Sequence, residues 1–143
     1  MTVQLMSPLE IFIGTWNTTG EVLETEKSPA TILLATDTYR WFPGKHFIIH
    51  DVDARFGGEP IRSMEVIGYD SSSQKHTARS YDDNGVSETF EVALDDRDWV
   101  IVGKSVRFNG LFDLTGNQLT GLWELKSEKV GWQPWIKLKL IRA

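Results

Sequence analysis

The stretch IGTW, residues 13–16, puts a glycine two residues before a tryptophan near the start of a chain that otherwise reads as short strands. Outward from it, β-branched and aromatic residues alternate with polar ones, and apolar residues seldom recur at the three-and-four spacing of a helix. The pattern predicts an all-β fold. Strands are expected over residues 11–24, 30–42, 46–56, 60–69, 76–82, 86–94, 99–108, 109–115, 118–127 and 132–142. Between them stand turn signals such as Pro43-Gly44, Gly57-Gly58, Asn84-Gly85 and Gly116-Asn117. Such spacing suits successive hairpins of an up-and-down meander, which either closes on itself or leaves two raw edges. A single closed antiparallel barrel of about ten strands is therefore expected. No linker, repeat or low-complexity stretch divides residues 1–143, so one domain is expected.

Composition sets the bounds. A chain of 143 residues with 41% hydrophobic and 24% charged side chains has the make-up of a globular domain with its own core. The net charge of -5 argues against a nucleic-acid footprint. With no cysteine, disulfides, thiolate metal sites and cysteine nucleophiles fall away together. The N-terminal residues lack a basic region followed by an apolar run, and no stretch has the length and apolarity of a spanning helix. A cytoplasmic protein acting away from membranes is the expectation, with oligomerisation left open.

The hairpins assign faces, because strand side chains alternate with period 2. Folding at Pro43-Gly44 sets Trp41 opposite His46, Tyr39 opposite Ile48 and Asp37 opposite His50. The next turn sets His46 opposite Tyr69, Ile48 opposite Ile67 and His50 opposite Glu65. One face then carries Leu33, Ala35, Tyr39, Trp41, Ile48, Val52 and Ile67, crossed by a row of Asp37, His50 and Glu65. The other carries Arg40, Lys45, Asp51, Asp53, Arg55 and Arg62 and is the solvated side. Around Gly116-Asn117, Phe112 is expected opposite Gly121 and Gly110 opposite Trp123, large against small. Ile136, Leu138 and Leu140 continue the inner face, and so does Arg142, whose charge needs partners there.

Gly14-x-Trp16 on the first strand and Arg142 on the last resemble the calycin signature of lipocalins and their relatives. In that signature a basic side chain near the C-terminus lies across the indole at the closed end of a barrel. A guanidinium stacked on an indole gains a cation–π contact while its N–H groups serve backbone carbonyls. The strings IGTWNTTGEV, TDTYRWFPGKHFIIH, EVIGYD, RSYDDNG and GLWELK with WQPWIKLKLIR look like a bacterial lipocalin-like family classed as a domain of unknown function. The likeness covers nearly the whole chain and implies a barrel with an internal cavity, without a reaction or ligand. Nitrobindin-type haem barrels also begin with Gly-Thr-Trp and use a late histidine as iron ligand. In this chain NTTG follows the tryptophan and no histidine comes after His76, so no haem is expected by that route.

The most pointed constellation is Asp37, His50 and Glu65, an imidazole between two carboxylates on neighbouring strands. It reads either as a polar network that satisfies itself or as a site in which His50 serves as general acid or base or meets a ligand's polar end. His46, framed by Trp41 and Tyr69, is placed at the barrel rim as a packing or gating residue. His46 and His50 lack a third metal ligand other than Glu65, and no metal site is expected. Of the six tryptophans, Trp16 is expected to be structural and Trp41 and Trp123 to line a cavity. No nucleophile elbow, phosphate-cradling loop or zinc-helix motif is present. The expected function is binding of a small, largely apolar ligand by Tyr39, Trp41, His46, His50, Glu65, Tyr69 and Trp123. An enzyme using the same cavity and a filled barrel with a structural or interaction role are the alternatives.

Overall fold

The computed structural model describes residues 2–143. Ten strands follow one another as β1 (Gly14–Val22), β2 (Thr31–Trp41), β3 (Phe47–Phe56), β4 (Glu59–Asp70), β5 (Lys75–Asp82), β6 (Ser87–Asp95), β7 (Asp98–Val102), β8 (Val106–Phe112), β9 (Gln118–Ser127) and β10 (Gly131–Arg142). Each pairs antiparallel with its neighbour in sequence, and β1 pairs with β10, so the sheet closes into a barrel. Closure removes both raw edges that a meander would otherwise present.

One end of the barrel is shut by the residues ahead of β1. Helix α1 (Thr2–Met6) runs into a 3₁₀ helix over Ser7–Phe12, with Pro8 in its first turn. Met6, Leu9 and Phe12 recur every third residue, which the three-residue turn of a 3₁₀ helix stacks on one side. All three are buried, and the Phe12 ring lies 5.0 Å from Tyr39, 4.6 Å from Trp99 and 5.1 Å from Phe112. Residues 11–13, expected as strand, therefore belong to this plug and its exit. Their alternation continues that of β1, which is what disguised the boundary.

Trp16 and Arg142 face each other across the β1–β10 ladder, with the guanidinium carbon 4.2 Å from the ring centroid. The Arg142 N–H groups donate to the carbonyls of Ile11, Ile13 and Gly116 and to the Asn117 side chain. The indole N–H of Trp16 donates to the Phe12 carbonyl at 2.8 Å. Gly14 has φ of +131°, and a Cβ there would stand 3.1 Å from an Arg142 nitrogen. The glycine of IGTW thus serves both an unusual backbone angle and the passage of the arginine.

Two registers depart from the sequence reading by two residues. In the β2–β3 hairpin Trp41 lies opposite Ile48, Tyr39 opposite His50 and Asp37 opposite Val52, because residues 42–46 all belong to the connection. In β8–β9, Phe112 lies opposite Leu119, Gly110 opposite Gly121 and Phe108 opposite Trp123. Large against small survives in another form: a Cβ on Gly110 or on Gly121 would run into the Phe108 ring, which covers both. A shift of two keeps every side chain on its face. The break expected between the strands 99–108 and 109–115 falls instead at Gly103-Lys104-Ser105, where the Gly103 N–H donates to the Val106 carbonyl, so residues 106–108 belong to β8, which ends at Phe112. The apolar alternation of WVIV resumes in VRF, and this hid the turn.

Candidate functional site

The far end of the barrel is open. β7 pairs with only the Glu91–Asp95 part of β6, so among the described residues Ser87–Phe90 have no strand partner on that side. Between this mouth and the plug lie two adjoining cavities. The inner one, about 270 Å³, is walled by Phe90, Trp99, Ile101, Phe108 and Trp123, with Asp37, Tyr39, His50 and Glu65 on the opposite wall. The outer one, about 300 Å³, runs past Leu33, Ala54, Phe56 and Ile61 to Asp82 and Glu88 at the rim. Asp37, Val52, Ser63, Ser80 and Leu138 line both, so the two adjoin across these side chains. Volumes of this size suit a small molecule.

Alternation along β2, β3 and β4 turns Asp37, His50 and Glu65 inward; Glu65 is the ladder partner of His50, and Asp37, two residues from the partner Tyr39, reaches it diagonally. His50 Nε2 lies 2.6 Å from Asp37 Oδ1 and its Nδ1 lies 3.0 Å from Glu65 Oε1. Thr18 donates its hydroxyl to the other Asp37 oxygen. The Tyr39 ring stacks on the imidazole with centroids 3.9 Å apart and planes 10° apart. Burial alone would lower the His50 pKa, but hydrogen bonds and charge from Asp37 and Glu65 outweigh it and push the value up to about 9. At neutral pH His50 is therefore an imidazolium donating both N–H groups to carboxylates. Burial first, then the charges of Asp37 and Glu65, hold the Tyr39 phenol well above its ordinary range and thus neutral.

The sequence reading brings some residues together and misplaces others. Tyr39, His50, Glu65 and Trp123 line the inner cavity as expected. Trp41 does not: its indole N–H donates to Glu10 at 3.0 Å, tying β2 to the plug. His46 stands exposed in the β2–β3 connection at the closed end, so it neither faces Tyr69 in a ladder nor gates the mouth. Tyr69 pairs with His76 and meets its ring edge-on, and His76 reaches the Leu5 carbonyl of α1. The direction of the hairpins explains all three, since connections after β2 and β4 fall at the plugged end. Thr18, Ser63, Ser80 and Trp99 were not singled out in sequence. Thr18 stands two residues after Trp16 and shares its face, a signal that was available; Trp99 was obscured by the missed turn at Gly103.

A closed ten-stranded up-and-down barrel, plugged at one end and holding a charged network in an apolar interior, defines the class of this protein. The chain belongs to the family described as "Protein of unknown function (DUF1579)", whose model matches residues 7–90. Among solved structures it is similar to Rv2717c from M. tuberculosis, with a TM-score of 0.71 and 12% identity over 96% of each chain. At that identity the likeness speaks to the fold alone. A search of curated proteins found no match. Among the described residues, no helix is long and apolar enough to cross a membrane.

Proposed function

We propose that this protein is a lipocalin-like binding module that holds a small, largely apolar molecule inside the barrel and meets its polar group with the Asp37–His50–Glu65 network. The observation that carries the reading is a charged, hydrogen-bonded network facing an aromatic wall across open space. Small-molecule sites characteristically combine mostly apolar walls with a few placed polar groups. The Trp16–Arg142 stack at the plugged end supports the calycin-like assignment. An acid–base role for His50 draws no support from this geometry. Both ring nitrogens are engaged by carboxylates, leaving neither a free lone pair nor an N–H directed at a substrate.

Trp99 and Trp123 line the inner cavity and supply a built-in reporter. Titration with a brominated short-chain alcohol is expected to quench tryptophan emission saturably, at one equivalent per chain. Ser80 borders both cavities, and Ser80→Phe is expected to abolish the quenching while leaving the far-ultraviolet circular dichroism unchanged. Linear, unsaturable quenching that is identical in the folded Ser80→Phe protein would overturn the proposal.

A further inference from the structure

The linings of the two cavities share an imbalance of charge. Asp37, Glu65, Asp82 and Glu88 contribute four carboxylates, while among the described residues no lysine or arginine lines either cavity. Among the described lining residues His50 is the one cationic counterweight, and it is already committed to two of the carboxylates. Asp37 spends one oxygen on His50 and the other on Thr18. Glu65 spends Oε1 on His50, and its Oε2 accepts no hydrogen bond from a described residue. The inner network therefore retains a net negative charge and one open acceptor, set against a wall of Phe90, Trp99, Ile101, Phe108 and Trp123. The rim residues Asp82 and Glu88 extend the same sign to the mouth, where it draws in cations and repels anions.

Resting on the binding reading above, we infer that the ligand class is an apolar molecule ending in a protonated amine, its ammonium seated against Glu65 Oε2 and its hydrocarbon body against the tryptophan wall. A ligand carboxylate would meet like charge between largely apolar walls, whereas an ammonium supplies the donor and the charge that the network lacks. Aromatic faces add a favourable surface for a cation that approaches them.

The test is a matched series of octylamine, octanol and octanoate, which share a tail and differ in head group. Affinities are measured by calorimetry at neutral pH and physiological salt, with octanol competition to show a common site. Octylamine is expected to bind roughly tenfold or more tightly than octanol, with octanoate weakest, the scale of one charge-assisted hydrogen bond. In Glu65→Gln, whose amide oxygen can still accept from His50, the ratio of amine to alcohol affinity is expected to fall toward one. If octanol equals octylamine, or octanoate binds tightest, the amine inference is overturned while the cavity reading stands. Octylamine binding that octanol does not displace also overturns it, as adsorption to an acidic surface. If none of the three binds, both readings fall together.

Discussion

Asp37 and His50 lie 2.6 Å apart through their side chains, yet neither is the other's partner in the β2–β3 ladder: Asp37 stands opposite Val52 and His50 opposite Tyr39. The contact is diagonal across the inner face. It leaves Tyr39 free to stack on the imidazole and lets Glu65, directly opposite His50 on β4, take the second ring nitrogen.

This arrangement predicts how stability varies with pH. The folded His50 pKa of about 9 exceeds the unfolded value of 6.5, so the contribution is complete below 6.5 and is lost as pH rises through about 9. Urea unfolding between these limits is expected to show stability falling on the order of 2–3 kcal/mol with rising pH. A flat profile across that window would contradict the imidazolium network.

His50→Gln leaves Asp37 and Glu65 facing the interior without their cation. A loss of about 3–5 kcal/mol is expected at pH 7, the range for breaking a buried ion pair on one side. The variant's stability should also lose the decline above pH 6.5, which the same urea series measures directly.

How far the sequence reveals this network follows from the arithmetic of strands. Which face a residue occupies depends only on parity, so the shared interior of Asp37, His50 and Glu65 is legible although the β2–β3 ladder is displaced by two residues from the one expected around Pro43-Gly44. Which end of the barrel a residue occupies depends on counting hairpins, and His46 and Tyr69 were misplaced for that reason. Closure by β1 and β10 is legible because a meander of hairpins otherwise leaves two raw edges, and the Trp16–Arg142 contact is what the resemblance to the calycin signature implies. The plug was not, because Met6, Leu9 and Phe12 form only one short apolar stripe. A run of that length competes poorly with the strong alternation that follows it.

Arg142→Lys is expected to destabilise the barrel by about 2–4 kcal/mol, since an ammonium can neither stack flat on Trp16 nor reach several carbonyls together. Arg142 lies at the plugged end, away from the cavity linings, so ligand affinity at saturating folded protein should be retained. Equilibrium unfolding and calorimetric binding on the same samples separate the two effects.

Gly121→Ala should cost more than Gly110→Ala. An added Cβ at 121 meets backbone atoms of Asn109 at 2.5 Å and Gly110 at 2.8 Å, which cannot swing aside, whereas at 110 it first meets the Phe108 ring at 2.5 Å. Overpacking of this kind costs about 1–3 kcal/mol or more, and the ordering of the two unfolding midpoints is the check.

Phe12→Ala is expected to cost about 3–5 kcal/mol by hollowing the plug. Because Phe12 packs on Tyr39 and Tyr39 stacks on His50, the same change should weaken ligand binding at a distance. Comparing its binding loss with that of Leu9→Ala, which thins the plug without a ring on Tyr39, isolates this path.

The pairing of β1 with β10 also imposes an order on folding. Every other strand pair joins consecutive segments, so hairpins from β2 to β9 can assemble as they leave the ribosome. β1 alone finds one flank supplied early, by β2, and the other only when β10 has emerged. Until then Trp16 has no guanidinium over it and one side of β1 presents unpaired amides to the crowded cell. The last strand is thus the latch of the molecule, and slow synthesis of its final turn would prolong the interval in which the nascent sheet can pair with a neighbour instead of itself.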